Sequence, residues 1–186
     1  MNTMEKKLII FTDIGDTIVD ENTQVFDDRH IVVQADCIPG AVETLRYLYD
    51  AGYRICMVAD GKTESFLNIL TYNDIRDYFS SMTISEEVGE TKPSSKMFLD
   101  AMKKNGLTVE DAGRIVMVGN NDERDIPGAK RLGITSILID WSDRHLSGTC
   151  GEDSVPDYRI HTPEELIPIV EKMERDLNGP ANTNKK

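Results

Sequence analysis

Short, wholly apolar runs alternate with amphipathic stretches along most of this chain. Leu8 to Phe11 is apolar throughout, as a strand buried on both faces requires. Pro39-Gly40 opens a segment running to Asp50 in which Val42, Leu45, Leu48 and Tyr49 share one helical face, and Gly52 follows its end. Tyr53–Val58 reads as a second strand, Thr63–Leu70 as a helix and Met82–Ile84 as a short third strand. The rhythm then repeats. Pro93 leads into a helix striped by Met97, Phe98, Ala101 and Met102 that stops near Asn105-Gly106. Arg114–Val118 is a fourth strand, Glu123–Leu132 a helix, Ile134–Ile139 a fifth strand and Tyr158–Ile160 a sixth. Thr162-Pro163-Glu164-Glu165 has the form of a capping box at the start of a last helix. Repeated β-α units with buried strands predict an α/β domain: an open, mostly parallel sheet with helices on both faces. It is expected to span residues 1–177, with a polar tail at 178–186. Residues 18–36 break the rhythm and are expected to form a flap, with Ile31–Val33 as a candidate extra strand.

Composition narrows the function. The chain has 186 residues, 39% hydrophobic and 29% charged, which suits a globular protein. Acidic residues outnumber basic ones, 33 to 21, for a net charge of −12. That weighs against nucleic acid and anionic membrane, which call for a basic footprint. It leaves open a small anionic substrate, which meets only its local pocket. Cys37, Cys56 and Cys150 are odd in number and widely spaced, so neither a disulfide framework nor a zinc site is expected. Leu8–Phe11 is too short for a signal core or a membrane span. The expected location is the cytoplasm.

In an open α/β sheet the site lies at the carboxyl ends of the strands. Four segments belong there: Asp13-Ile14-Gly15-Asp16-Thr17, Ala59-Asp60-Gly61-Lys62, Thr91-Lys92-Pro93 and Gly119-Asn120-Asn121-Asp122-Glu123-Arg124-Asp125. Clustered carboxylates suit a divalent metal with oxygen ligands. Backbone amides at Gly-containing turns suit a phosphate. A carboxylate beside both can act as a nucleophile. Blander roles exist for several of these residues. Asp16 is as well suited to a turn as to proton transfer, Asp125 to capping the following helix, and Asp60-Gly61 to a plain β-turn. Asp122 and Glu123 suit a helix N-terminus. His30, His145 and His161 show no metal spacing, though His30 lies in the flap. Trp141 is placed either to line a pocket or to pack under a loop.

The four segments resemble, in order, the motifs of the haloacid dehalogenase-like (HAD) hydrolase superfamily. LIIFTDIGDT at 8–17 is similar to an apolar run followed by DxDGT. ICMVADG at 55–61 is similar to the strand ending in Ser or Thr. Lys92-Pro93 matches the Lys-Pro, and VGNNDERD at 118–125 is similar to GDxxxxD. The resemblance covers roughly Lys7 to Asp140. It implies a Rossmann-like three-layer α/β/α fold and a Mg²⁺-dependent phosphatase working through an aspartyl-phosphate. In it Asp13 is the nucleophile and Lys92 positions Asp13 and neutralises phosphate charge. Phosphate contacts fall to Thr17, Asp60, Gly61 and Lys92, and metal ligation to Asp13, the Gly15 carbonyl, Asn120 and Asp125. Asp13 and Ala59 stand 46 positions apart, and Ala59 and Lys92 stand 33 apart. Neither interval holds a large cap once the core elements are subtracted, so a capless member is expected.

Three positions depart from the family pattern. Its general acid/base Asp is Gly15 here, with Asp16 one place later as the candidate replacement. Its Ser/Thr is Ala59, and its leading metal Asp is Asn120, a weaker neutral ligand. Three readings follow. The first is a phosphatase acting on a small phosphate ester or a phosphoprotein. The second is a catalytically impaired phosphate-binding relative. The third, a metal-free carbon–halogen hydrolase, lacks the aromatic that such enzymes carry two residues after the nucleophile. The flap holds Ile18, Val19, Val25, Phe26, Ile31, Val32 and Val33. If exposed as a patch they predict a homodimer.

Overall fold

The computed structural model describes residues 6–142, 144 and 151–179. His145, Cys150 and residues 180–186 of the expected tail lie outside the described residues. Six parallel strands form one sheet in the order β5-β4-β1-β6-β7-β8. They are β1 (Ile9–Thr12), β4 (Arg54–Ala59), β5 (Phe79–Ile84), β6 (Ile115–Gly119), β7 (Thr135–Ile139) and β8 (Tyr158–Ile160). A separate antiparallel hairpin, β2 (Val25–Phe26) with β3 (Val32–Gln34), belongs to the flap. The helices are α1 (Ala41–Asp50), α2 (Thr63–Tyr72), α3 (Ser85–Val88), α4 (Ser95–Lys104), α5 (Asp125–Lys130) and α6 (Leu166–Asn178).

The unbroken apolar character of β1 follows from its central place. Leu8 and Ile10 face a core built with Leu45 and Leu48 of α1, Ile69 and Leu70 of α2 and Val170 of α6. Ile9 and Phe11 face the opposite core, with Met97, Phe98 and Ala101 of α4 and Ala129 of α5. Alternate residues of one strand thus serve two hydrophobic layers, which makes the three-layer α/β/α architecture.

Some boundaries differ from expectation. β5 begins at Phe79 rather than Met82 because it is an edge strand, where Ser80 and Ser81 meet solvent or a side chain. α5 is confined to Asp125–Lys130. The capping box at Thr162 does not form: the Thr162 side chain makes no cap hydrogen bond, and Glu165 accepts instead from the His161 N–H, at 3.1 Å. Trp141 packs against the core. Among the described residues no helix is long and apolar enough to cross a membrane.

The flap is folded onto its own chain. The Ser65 hydroxyl on α2 accepts from the Val32 N–H at 3.0 Å, and Asn68 donates to the Val32 carbonyl at 3.0 Å. Arg29 pairs with Glu64 at 2.7 Å. Ile18, Val19, Ile31 and Val32 are buried by this packing, while Val25, Phe26 and Val33 stay exposed. The expectation that all seven flap residues form one exposed apolar patch is therefore corrected to three, Val25, Phe26 and Val33. Within the hairpin itself only Val32 is buried, and Val25, Phe26 and Val33 keep their side chains at the surface.

Candidate active site

The chain leaves β1 through a tight turn. The Asp13 N–H donates to Val118 O at 2.9 Å, which extends the β1–β6 pairing and sets Asp13 at the sheet edge. Ile14 O then accepts from the N–H groups of Thr17, Ile18 and Val19. Asp16 takes a positive φ of 47°, a conformation Asp tolerates because its short side chain bonds locally. Here its Oδ1 accepts from the Glu21 N–H at 3.0 Å, and its Oδ2 lies 3.1 Å from Arg144 Nε.

Asp13, Lys92 and Asp125 converge at the end of the sheet. Lys92 Nζ is 2.7 Å from Asp13 Oδ1 and 2.7 Å from Asp125 Oδ1, and the lysine side chain is 2% exposed. Asp125 heads α5, and its Oδ2 accepts from the Asn121 N–H at 3.0 Å. Gly119 makes room for this carboxylate, since a Cβ there would overlap it. Asp60, at the end of β4, accepts from the Lys92 backbone N–H at 3.0 Å and lies 3.6 Å from Arg124.

Charge balance follows from these contacts. Burial works against the Lys92 ammonium, but Asp125, Asp13 and Asp60 together raise its pKa and keep it charged. Burial pushes the Asp125 carboxyl up to about 6, against the pull of Lys92. Asp13 is likewise raised by burial, opposed by Lys92 and aided by Asp60. One cation serves two main carboxylates, so the cluster carries spare negative charge that an incoming cation would relieve.

Above this cluster is a cleft of about 290 Å³. Asp13, Gly15, Asp60, Gly61, Lys92, Asn120 and Asp125 line it, so seven of the nine expected site residues come together. Asp16 and Thr17 do not. Asp16 is fully buried and pins the turn from behind, while Thr17 faces a small apolar cavity with Ile10, Ala41 and Leu45. The Gly61 N–H, expected at the phosphate, donates to Ser85 Oγ at 2.9 Å. Residues missed at the sequence level complete the walls: Glu21, Phe26 and Val32 from the flap, Ser65, Phe66 and Ile69 from α2, and Arg124. His30, noted as lying in the flap, lines the cleft as well. For Arg124 the signal was its place inside the fourth motif. For the flap residues there was none.

For a divalent cation the donor set is sparse but chemically apt. Asp125 has both oxygens engaged by Lys92 and Asn121. Asp13, the Gly15 carbonyl and the amide oxygen of Asn120 remain as oxygen donors among the residues that line the cleft. Among the described residues no three His, Cys, Asp or Glu side chains form a metal cage. This fits Mg²⁺, which holds several waters and takes a carboxylate or two together with substrate phosphate oxygens. It does not fit a cation caged by protein alone.

Comparison with known proteins agrees with this geometry. The profile of the haloacid dehalogenase-like hydrolases matches residues 5–139. A glyceraldehyde 3-phosphate phosphatase of Methanopyrus kandleri is 31% identical over 138 residues, which are 74% of this chain and 58% of that protein. A ribulose-1,5-bisphosphate 5-phosphatase of Halopiger xanaduensis is 31% identical over 137 residues, 72% of this chain and 56% of that protein. The chain thus spans little more than half the length of these curated relatives. Among solved structures, a HAD phosphatase from Thermococcus onnurineus superposes with a TM-score of 0.70 at 21% identity, covering 88% of this chain and 97% of that one. At that identity the likeness speaks for the fold.

Proposed function

The chain belongs to the haloacid dehalogenase-like hydrolases, and from that premise we propose that it is a Mg²⁺-assisted phosphatase of small phosphate monoesters. The observation that carries the reading is the buried Lys92 ammonium, 2.7 Å from Asp13 at the floor of an open cleft. It fixes the Asp13 carboxylate and offers positive charge where a phosphate would land. The cleft volume admits a small ester, and Lys62, Arg124 and His30 on its walls suit an anion. The names of the relatives, phosphatases of sugar and triose phosphates, point to the same class.

In this reading Asp13 attacks phosphorus in line with the leaving oxygen, and an aspartyl-phosphate results. Water then attacks the phosphorus and frees Asp13. Lys92 stays charged throughout and keeps Asp13 ionised and oriented. Asp125 holds Lys92 from behind. Mg²⁺, held by Asp13, the Gly15 carbonyl and Asn120, would supply charge neutralisation at the phosphate oxygens. A reducing compartment suits the two described cysteines, Cys37 and Cys56, which are free thiols.

A second reading is a phosphate-binding relative with little turnover. It draws support from Asp16, which is turned away from the cleft, and from Ala59, which brings no hydroxyl. A screen of small phosphate esters with and without Mg²⁺, with Asp13→Asn as control, separates the two. Metal-dependent turnover lost in Asp13→Asn supports the phosphatase. Phosphate binding without turnover on any ester supports the second reading.

A further inference from the structure

Two glycines at strand ends, Gly15 in the turn after β1 and Gly119 closing β6, have the same relation to a carboxylate. At Gly119 a Cβ would collide with the carboxylate of Asp125. At Gly15 a Cβ would collide with Oε1 of Glu21. The first is a glycine that leaves room for a working group, and the second has the same form. Glu21 lies in the flap, six positions beyond Gly15, and its contacts turn its chain back. Its own N–H donates to Asp16 Oδ1 at 3.0 Å. Its Oε2 lies 3.6 Å from Arg144 Nη1, and that guanidinium also reaches Asp16 and Asp20. The carboxylate thereby lines the cleft that holds Asp13. Asp16 is consumed in bringing it there.

We propose that Glu21 is the proton-transfer residue of this site, a carboxylate delivered from the flap into the space above Gly15, in the cleft that Asp13 also lines. The proposal rests on the phosphatase reading. In the first step an Asp13 oxygen bonds to phosphorus as the ester P–O bond breaks, and the Glu21 carboxylic acid gives its proton to the departing oxygen. In the second, the Glu21 carboxylate takes a proton from water as the water oxygen bonds to phosphorus and the Asp13–phosphorus bond breaks. The sum is ester plus water giving alcohol plus phosphate, with both carboxyl groups restored. Asp16 and Arg144 are positioning residues in this scheme.

Rapid-mixing kinetics of Glu21→Gln on two esters tests the role. A nitrophenolate departs without a proton, so Glu21→Gln is expected to release one equivalent in a fast burst and then turn over about 10²–10⁴-fold more slowly than wild type. An alkyl ester needs the proton in the first step, so the same variant is expected to show no burst. Gly15→Asp with Glu21→Ala places a carboxylate from the turn itself and is expected to restore much of the rate. Gly15→Asp alone, with two carboxylates in one space, is expected to do worse than the pair. Thermal unfolding supplies a readout independent of turnover. Gly15→Ala is expected to lower Tm in wild type and to lower it less in a Glu21→Ala background.

An equal loss on both esters without a burst, or no rescue by the double variant, would overturn the proton-transfer role and leave Glu21 a support for Arg144. Additive Tm effects would overturn the shared space on which the role depends. If wild type turns over no ester, the phosphatase reading itself has failed. If wild type is active and Asp13→Asn is not, while Glu21→Gln equals wild type, only the role of Glu21 has failed.

Discussion

At the start of β1, the buried Glu174 of α6 accepts from the Leu8 N–H at 2.8 Å and the Lys7 N–H at 3.2 Å. At its end, Asp13 and Asp125 share the ammonium of Lys92. Both ends of one strand bury carboxylates, and the two ends treat them oppositely. Burial pushes the Glu174 carboxyl up, but the amides of Leu8, Asn178 and Lys7 outweigh it and hold its pKa below the ordinary 4.5. Burial wins over Lys92 at Asp125, which is raised to about 6. Fixed donors that match a carboxylate satisfy it and make a structural tie. Two carboxylates around one cation are held in place with negative charge left over, so they retain attraction for a further cation or for chemistry.

The contrast is open to direct attack. The largest effect is expected from Lys92→Met, which strands two buried carboxylates. Urea unfolding should show a loss of roughly 3–5 kcal/mol, and turnover should fall by at least about 10². Adding Asp125→Asn to it should recover part of the stability, since one stranded charge disappears. If Lys92→Met costs no more than an exposed lysine, the cluster is not the strained end.

Next is Glu174→Gln, which weakens the tie at the other end. The expected cost is about 1–3 kcal/mol near neutral pH with turnover unchanged in folded protein. The sign with pH is fixed by the lowered pKa. The stabilisation is fully present above about pH 4.5 and is lost as pH falls through the lower folded value. The stability gap between wild type and variant should therefore close in acid. A gap that widens below pH 4.5 would contradict the assignment.

A smaller change is expected from Asn120→Asp. Restoring a negative ligand at the cleft should tighten Mg²⁺ by about tenfold in calorimetry, or roughly 1.4 kcal/mol. An unchanged affinity removes Asn120 from the metal shell. The smallest stability change is expected from Lys172→Gln in urea unfolding: its ion pair with Asp176 joins two side chains each 63% exposed, where solvent screening leaves such a pair little to contribute.

The sequence made the α/β alternation legible because each central strand is apolar on both faces and each major helix carries one apolar stripe. The four strand-end motifs placed Asp13, Lys92 and Asp125 together without any coordinates. Other features were hidden for local reasons. Val25 and Phe26 form a two-residue strand with both side chains exposed, so no alternation betrays the hairpin. Asp16 looked like a shifted acid, yet a one-residue shift in a tight turn sends the side chain to the Glu21 amide and Arg144. Thr17 looked like a phosphate ligand, yet the same turn aims it into the apolar layer. Glu21 was invisible as a site residue because only the folded turn returns it over Gly15.

The central position of β1 also shapes the order in which this protein acquires its chemistry. Ile9 pairs with Arg54 on one side and with Ile115 on the other, and the Lys92–Asp13 contact spans 79 positions. Each of these pairings closes a long loop before any of its energy is returned. Asp13 is therefore made well before Lys92 and Asp125, the partners it meets in the folded chain. A nascent chain in which β6 is still missing has a strand carrying Asp13 with one edge open, and Asp125 has not yet been placed. Folding speed should accordingly respond to substitutions at the β1–β4 and β1–β6 seams more than to any change within the helices.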